Sequence, residues 1–284
     1  MDDWRQIFQQ KAHQAFGQYP EIYLCDNQAF GDYYTNIALR FKTHAATKNF
    51  KQELACLSEW VDIDLSASGL INFKLTTKAK WLLLQRWQKA HFQMPALISQ
   101  KSTWQEWRLS HTRRALANFG VSSAPMTCGP CQVFHHEMDD EELSHLWLWI
   151  SAYKIHQDVR IEWIQARHSV IVAYERLQAL LQQWDVQPVA IQGEEILHGM
   201  QERKLLSLIG QFDDMKKITA QSQELEPWNK YLKFIAREIQ SYYNVVVLND
   251  DNLRERFARF LMLKAVQNVL NDGLAYLGWS PIRE

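Results

Sequence analysis

No stretch of this 284-residue chain approaches the roughly twenty consecutive apolar positions that a membrane-spanning helix needs, so no membrane role is expected. The N-terminus, Met1-Asp2-Asp3-Trp4, is acidic and amphipathic, which departs from the basic-then-apolar plan of a secretory signal. Net charge is lacking too. Lys and Arg number 31 against 32 Asp and Glu, so the distribution of charge must carry any argument about polyanionic partners. Cysteine is scarce, at four with no evident pairing, which fits a reducing cytoplasm. No glycine-rich phosphate cradle occurs. What remains, 47% apolar and 22% charged, is the composition of a soluble globular chain with length for two domains or one large one.

The most informative stretch is the last one. Tyr231, Phe234, Ile235, Ile239 and Tyr242 recur at three- and four-residue steps and predict an amphipathic helix. An acidic turn at residues 249–252 follows. Leu253, Phe257, Phe260, Leu261, Ala265, Val269 and Leu270 then predict a second helix, expected to weaken at Gly273 and stop at Gly278. Periodicity alone would suit the core of many helical bundles. The ordered markers say more: Tyr242-Tyr243-Asn244, Val247-Leu248, the arginines 254, 256 and 259, Gly273-Leu274, and Leu277-Gly278 ahead of Pro281. This run resembles the closing helices of the DALR-type anticodon-binding domain of arginyl-tRNA synthetases. The resemblance implies RNA contacts by Tyr242, Tyr243, Asn244 and Trp279, with Arg254, Arg256 and Arg259 on phosphates. The chain ends Pro281-Ile-Arg-Glu284 where the family ends Pro-Glu-x-Met, so arginine-anticodon specificity does not follow from the resemblance.

Near the other end, residues 4–16 predict a short amphipathic helix. Gly31-Asp32-Tyr33-Tyr34-Thr35-Asn36-Ile37-Ala38 is expected to open a helix near Asp32, with Thr35 and Asn36 at its start. Residues 61–65 alternate apolar and acidic as a half-buried strand, residues 66–69 turn, and residues 70–75 return as a second strand. This order is similar to the additional N-terminal domain of arginyl-tRNA synthetases, which implies contact with the tRNA elbow. The implied residues are Asn72 and Phe73, with Lys74 beside them. An amide that donates and accepts, next to an aromatic ring, suits an unpaired base. The alternative is that Phe73 is core and Asn72 caps a strand end.

Residues 74–114 hold nine Lys or Arg against one acid, Glu106, interleaved with Trp81, Trp87, Trp104 and Trp107. This is either a phosphate-facing surface or a solvated helix face over buried tryptophans. Residues 81–118 predict helices with a break near Pro95, and residues 120–136 read as loop. Within that loop lies Cys128-Gly-Pro-Cys131. A redox centre would need a buried strand before it, and Ser-Ser-Ala-Pro-Met-Thr precedes it instead. Zinc on Cys128, Cys131 and His135 (or His136 or His145) would lack a second paired half. Two reduced thiols are the expectation. A helix should begin at residues 138–142. Residues 162–171 resemble the family's first anticodon-domain helix through Trp163, Gln165, His168 and Ile171, which makes Trp163 and His168 candidate RNA residues; Ala166 and Val170 depart from the motif. Residues 205–218 predict a further helix.

The expected fold class is therefore α+β. A small N-terminal α/β domain with a short sheet (1–80) precedes a Trp-rich, mostly helical connecting region (81–150) and an all-α anticodon-binding-like bundle (151–284). An arginyl-tRNA synthetase has a Rossmann-type catalytic domain between such ends. The connecting region is too short for one, since each βαβ unit takes about thirty residues. Neither His-x-Gly-His nor Lys-Met-Ser-Lys occurs. The expectation is a non-catalytic, cofactor-free cytoplasmic protein that binds tRNA, with tRNA-Arg first in line, and presents it to a partner such as a modification enzyme. The alternatives are a protein–protein interaction module that has lost RNA binding, and a thiol-redox or zinc protein acting through Cys128 and Cys131.

Overall fold

The computed structural model describes residues 4–25, 31–40, 50, 52–66, 70–88, 103–122, 127–134, 140–162, 168–191, 197, 199–245 and 252–279. The chain divides into two compact units, one built on Met1–Leu84 and one on Gln85–Ile191 and Ile196–Glu284. The α+β class is as expected from sequence.

In the first unit, helix α1 (Trp4–Phe16) buries Trp4, Phe8, Ala12 and Phe16, one stripe at four-residue spacing. Four antiparallel strands form the sheet it packs on: β1 (Tyr23–Leu24), β2 (Tyr33–Thr35), β3 (Val61–Leu65) and β4 (Ile71–Leu75), in the order β1-β2-β4-β3. Phe73 sits at its centre, paired with Tyr33 on one side and Ile63 on the other. Its ring lies 5.1 Å from Trp4 and 4.7 Å from Phe8.

The helix expected to open near Asp32 is instead strand β2, and the short helix α2 (Ile37–Arg40) starts later. The reason is that Gly31 and Asp32 are bound into the sheet. The Asp32 N–H donates to the Phe73 carbonyl at 2.8 Å, and its Oδ2 accepts from the Leu75 N–H at 2.7 Å. Lys80 Nζ stands 3.5 Å from the same oxygen, both side chains being buried. Gly31 has φ 138°, and a Cβ there would lie 2.8 Å from the Phe73 carbonyl oxygen. Only glycine fits.

The second unit begins within α3 (Thr77–Trp87). Helix α4 (Trp104–Asn118) opens with a capping box, Thr103 accepting from the Glu106 N–H and Glu106 from that of Thr103. Residues 131–134, expected as loop, form strand β5 (Cys131–Phe134), parallel to β6 (Val159–Glu162) with α5 (Asp140–Ile150) between them. That pairing spans the expected boundary at 150/151, so the connecting region and the C-terminal helices are one unit. Helix α6 (Ser169–Gln183) starts later than the 162–171 motif suggested, because Glu162 ends a strand. The single helix expected over 205–218 is two, α7 (Met200–Gly210) and α8 (Phe212–Ser222). The break at Gln211 delivers Phe212 to Trp87 and Trp228, with ring centroids 4.5 and 4.9 Å away.

The closing pair, α9 (Glu226–Val245) and α10 (Leu253–Tyr276), forms as expected. Gly273 does not weaken α10. A Cβ there would meet Leu232 Cδ2 at 2.4 Å, and the Trp228 Nε1–H donates to the Gly273 carbonyl at 2.8 Å. The glycine serves close approach of two antiparallel helices. Gly278, with φ 85°, follows the helix end as predicted.

Gly31→Ala should cost the first unit about 1–3 kcal/mol, since strain and a backbone clash coincide there. Urea unfolding followed by the quenching of Trp4 tests this, and a midpoint equal to that of the parent chain would contradict it.

Candidate nucleic-acid interface

Side chains alternate across a strand, and directly paired residues share a face. Since Phe73 points at α1, Asn72 and Lys74 occupy the other face of β4, where Lys74 is exposed but Asn72 is buried, contrary to its expected role at an unpaired base. The register extends a row across that face: Tyr23 opposite Tyr34, Tyr34 opposite Asn72, and Asn72 opposite Asp64. The Tyr23 and Tyr34 rings stand 5.3 Å apart at 30°. Lys74 is exposed opposite Asp62. Phe73 is corrected from a base-stacking candidate to a core residue, because at 0% exposure its ring offers no face to a ligand. The two tyrosines were not anticipated. The signal was present in Tyr33-Tyr34-Thr35, but reading it as a helix start hid the alternation.

In the second unit the expected residues divide by accessibility. Asn244 lies in the last turn of α9 and is exposed, as is Arg254 in the first turn of α10. Because the helices are antiparallel, these two occupy the same end of the pair. Asn252 caps α10 there, accepting from the N–H groups of Arg254 and Glu255. Tyr243 is half-buried. Tyr242, at 0% exposure, is core, and its hydroxyl donates to Glu202 Oε1 at 3.4 Å. Burial, joined by the Glu202 charge, drives its phenol pKa upward.

Arg259 is corrected from phosphate contact to structural ion pair. Its Nε lies 2.9 Å from Glu202 Oε1, its Nη2 lies 3.1 Å from Glu255 Oε2, and the Glu202 side chain is 3% exposed. A guanidinium bound to two carboxylates has little left for RNA. Arg256 is half-buried and donates from Nη2 to the Asp185 carbonyl at 2.7 Å. Trp279 is buried edge-on to Tyr174 at 5.8 Å, which takes it out of reach of a base. His168 is also fully buried, stacked edge-on to Trp149 at 5.1 Å. Trp163 and His135 lie outside the described residues.

Several described cations of the basic stretch over 74–114 are held by carboxylates or carbonyls. Lys80 is paired with Asp32, Arg86 Nη1 with Asp213 at 2.9 Å, and Lys78 with Glu59. Arg108, 1% exposed, donates to the carbonyls of Gly129, Lys154 and Gln157 at 3.3, 2.7 and 2.8 Å. It thereby clasps the Cys-Gly-Pro-Cys loop onto the turn at residues 154–157. Burial pushes the Cys131 thiol up to about 11 and raises that of Cys128, so both are protonated at neutral pH. That is the opposite of what a redox nucleophile needs. Among the described residues no group of three His, Cys, Asp or Glu is placed to hold a metal ion. Of the described tryptophans Trp87 and Trp107 are buried, whereas Trp81, Trp104 and Trp149 are half-buried.

Residues 170–284 match the DALR anticodon binding domain family, and the chain is arginyl-tRNA synthetase-like. It is 32% identical over 124 residues to the arginine–tRNA ligase of Legionella pneumophila (strain Corby), covering 43% of this chain and 21% of that one. To the arginine–tRNA ligase of Coxiella burnetii (strain CbuK_Q154) it is 29% identical over 127 residues, again 21% of the relative. The chain thus spans about a fifth of the length of the curated relatives it matches. Among solved structures, an arginyl-tRNA synthetase chain from Plasmodium falciparum aligns with a TM-score of 0.69 and 10% identity, covering 98% of both chains, which shows a common fold. No described helix is long and apolar enough to cross a membrane.

Two outcomes follow. Arg259→Gln leaves Glu202 buried with its charge uncompensated and should destabilise the second unit by about 3 kcal/mol. Urea titration measures this; a phosphate-contact role would instead leave stability unchanged and weaken RNA binding. Burial beside Lys233 and His145 pulls the His168 imidazole down to about 3. Below pH 6.5 the unfolded chain takes up a proton there that the folded chain does not, so stability falls as pH drops from about 6.5 toward 3. In chloride buffer, His168→Phe should flatten that acid limb by about one proton, read from denaturation midpoints across the window.

Proposed function

We propose that this chain is a non-catalytic tRNA-binding protein. It holds the tRNA elbow with the sheet face that carries Tyr23, Tyr34 and Lys74 and the anticodon arm with the end of α9 and α10 that carries Asn244 and Arg254. It presents that tRNA, with tRNA-Arg the first candidate, to a partner enzyme such as one that modifies tRNA. The observation that carries the reading is the DALR match over residues 170–284 joined to the accessibility of Asn244 and Arg254 at one end of the closing helices. The first unit supports it with the exposed Tyr23 and Lys74 and the half-buried Tyr34 on one face of its sheet. Unpaired loop bases are recognised by such combinations of stacking and hydrogen bonding. Absence of catalysis is proposed because neither class I signature sequence occurs between the two ends. Protonated buried thiols weaken the redox reading.

Gel-shift titration with total tRNA tests the proposal. Binding should fall log-linearly with salt, and Arg254→Gln should reduce that slope by about one. Tyr34→Ala should cost about 1–3 kcal/mol of affinity, the worth of one stacked base. Binding no tighter to tRNA than to an arbitrary RNA duplex would overturn the reading.

A further inference from the structure

Helix α9 turns a cationic stripe to solvent. Steps of three and four residues place Lys230, Lys233, Arg237, Gln240, Ser241 and Asn244 on one face. All are exposed except Lys233, which is half-buried. The opposite face buries Tyr231, Ile235, Ile239 and Tyr242. Lys230, Arg237 and Asn244 are each seven residues apart, so they follow one another along the axis at steps of about 10 Å. The cations of the stripe are little used by the fold. The Arg237 guanidinium lies 5.5 Å from the centre of the half-buried Phe234 ring, and Lys233 Nζ lies 4.8 Å from that of Trp149. Neither has a carboxylate partner among the described residues. Of the acids on α9, Glu238 is buried and bound to Lys204 of α7 at 2.6 Å. The other, Glu226, meets the stripe at its far end, 2.5 Å from a Lys230 side chain that is 71% exposed. A pair so exposed is worth little and exchanges readily for another anion.

This is the reverse of Arg259, Lys80 and Arg108, whose charges the interior consumes. The stripe is also continuous with Asn244, which shares one end of the helix pair with Arg254. Between its cations it offers an amide and a hydroxyl and no exposed ring, a set suited to phosphate and sugar oxygens more than to bases. We propose that this face of α9 is a track for the sugar–phosphate backbone of an RNA stem, followed from a loop at Asn244 back toward Lys230. Arg237 and Lys230 neutralise phosphates, and Gln240 and Ser241 reach phosphate or ribose oxygens. The inference rests on the tRNA-binding reading and adds to it the stem beside the anticodon loop, held by shape and charge without regard to sequence.

The test uses the full chain in gel-shift titrations of a tRNA-Arg transcript over a range of potassium chloride. Arg237→Gln and Lys230→Gln should each reduce the log–log salt slope by about one, and the double variant by about two. Arg237→Lys keeps the charge and should keep the parent slope. Lys233 is left in place, because desolvation lowers its pKa and its removal would disturb the packing on Trp149. In hydroxyl-radical footprinting the parent should protect stem backbone next to the anticodon loop, and the double variant should lose that protection. Urea midpoints check that the variants fold; if Arg237→Gln does not, Lys230→Gln alone decides. A parent that binds tRNA with slope and footprint unchanged in the folded variants overturns the track and leaves the tRNA-binding reading standing. A parent that binds no tRNA overturns both. Tighter binding to phosphatidylserine vesicles than to tRNA, weakened by the same substitutions, would assign the stripe to a membrane surface and overturn the track as well.

Discussion

The second unit depends on how closely α9 and α10 approach at Gly273. With no Cβ there, Leu232 lies against the backbone of α10, and Trp228 reaches the Gly273 carbonyl with its indole N–H. Around that contact gather Phe119, Phe212, Tyr231 and Tyr276, whose ring centroids lie 5.0, 4.9, 5.7 and 5.5 Å from Trp228. Aromatic pairs in edge-on and tilted geometry add to the stabilisation from area burial alone. The tail of α10 is therefore anchored from several elements: Asn118 Nδ2 donates to the Tyr276 carbonyl at 3.0 Å and Trp147 Nε1 to that of Leu277 at 2.6 Å. At the other end of the pair Asn244 and Arg254 are exposed.

Electrostatics sort the remaining arginines. Arg259 is held in the interior because Glu202 is. That carboxylate also accepts from the Gly199 N–H at 2.9 Å, which caps α7, so one buried charge ties the start of α7 to α9 through Tyr242 and to α10 through Arg259. Arg108 has an equivalent structural role on carbonyls. A helix or segment rich in cations is thus no measure of the positive surface it presents. In the first unit the same caution applies in reverse, since Asp62 and Asp64 lie on the face that carries Lys74 and Asn72. Any affinity of that face must come from stacking and hydrogen bonds more than from charge.

Long-period signals were legible. The four-residue stripe of α1, the β3–β4 hairpin, and both closing helices follow from spacing alone. What spacing could not supply was the partner of each residue. Tyr33-Tyr34-Thr35 has strand alternation over three residues only, too few to outvote the helix signal that follows at Ile37. Residues 131–134 are a strand because β6 lies far along the sequence to pair with them. Gly273 reads as a helix breaker unless Leu232 is known to need its space. The candidate site suffered most, because Phe73, Tyr242, Trp279 and Arg259 carry the residue types of RNA contacts while their burial is set by tertiary neighbours.

That separation of residue type from exposure bears on what the DALR match implies. The same aromatic and arginine markers that identify the closing helices are largely those that hold them together, so the resemblance is first a statement about folding. Tyr242 and Arg259 converge on one carboxylate, and Gly273 fixes the helix pair; each would persist in a chain that had ceased to touch RNA. Evidence of a retained RNA surface must instead come from residues that the fold does not require. Asn244 and Arg254, both exposed, fit that condition, and Tyr34 does so in part, being half-buried against Tyr23. In the proposed function they would offer a polynucleotide an amide, a guanidinium and a ring. For that reason the functional reading stands on these few residues and not on the stronger sequence signature around them.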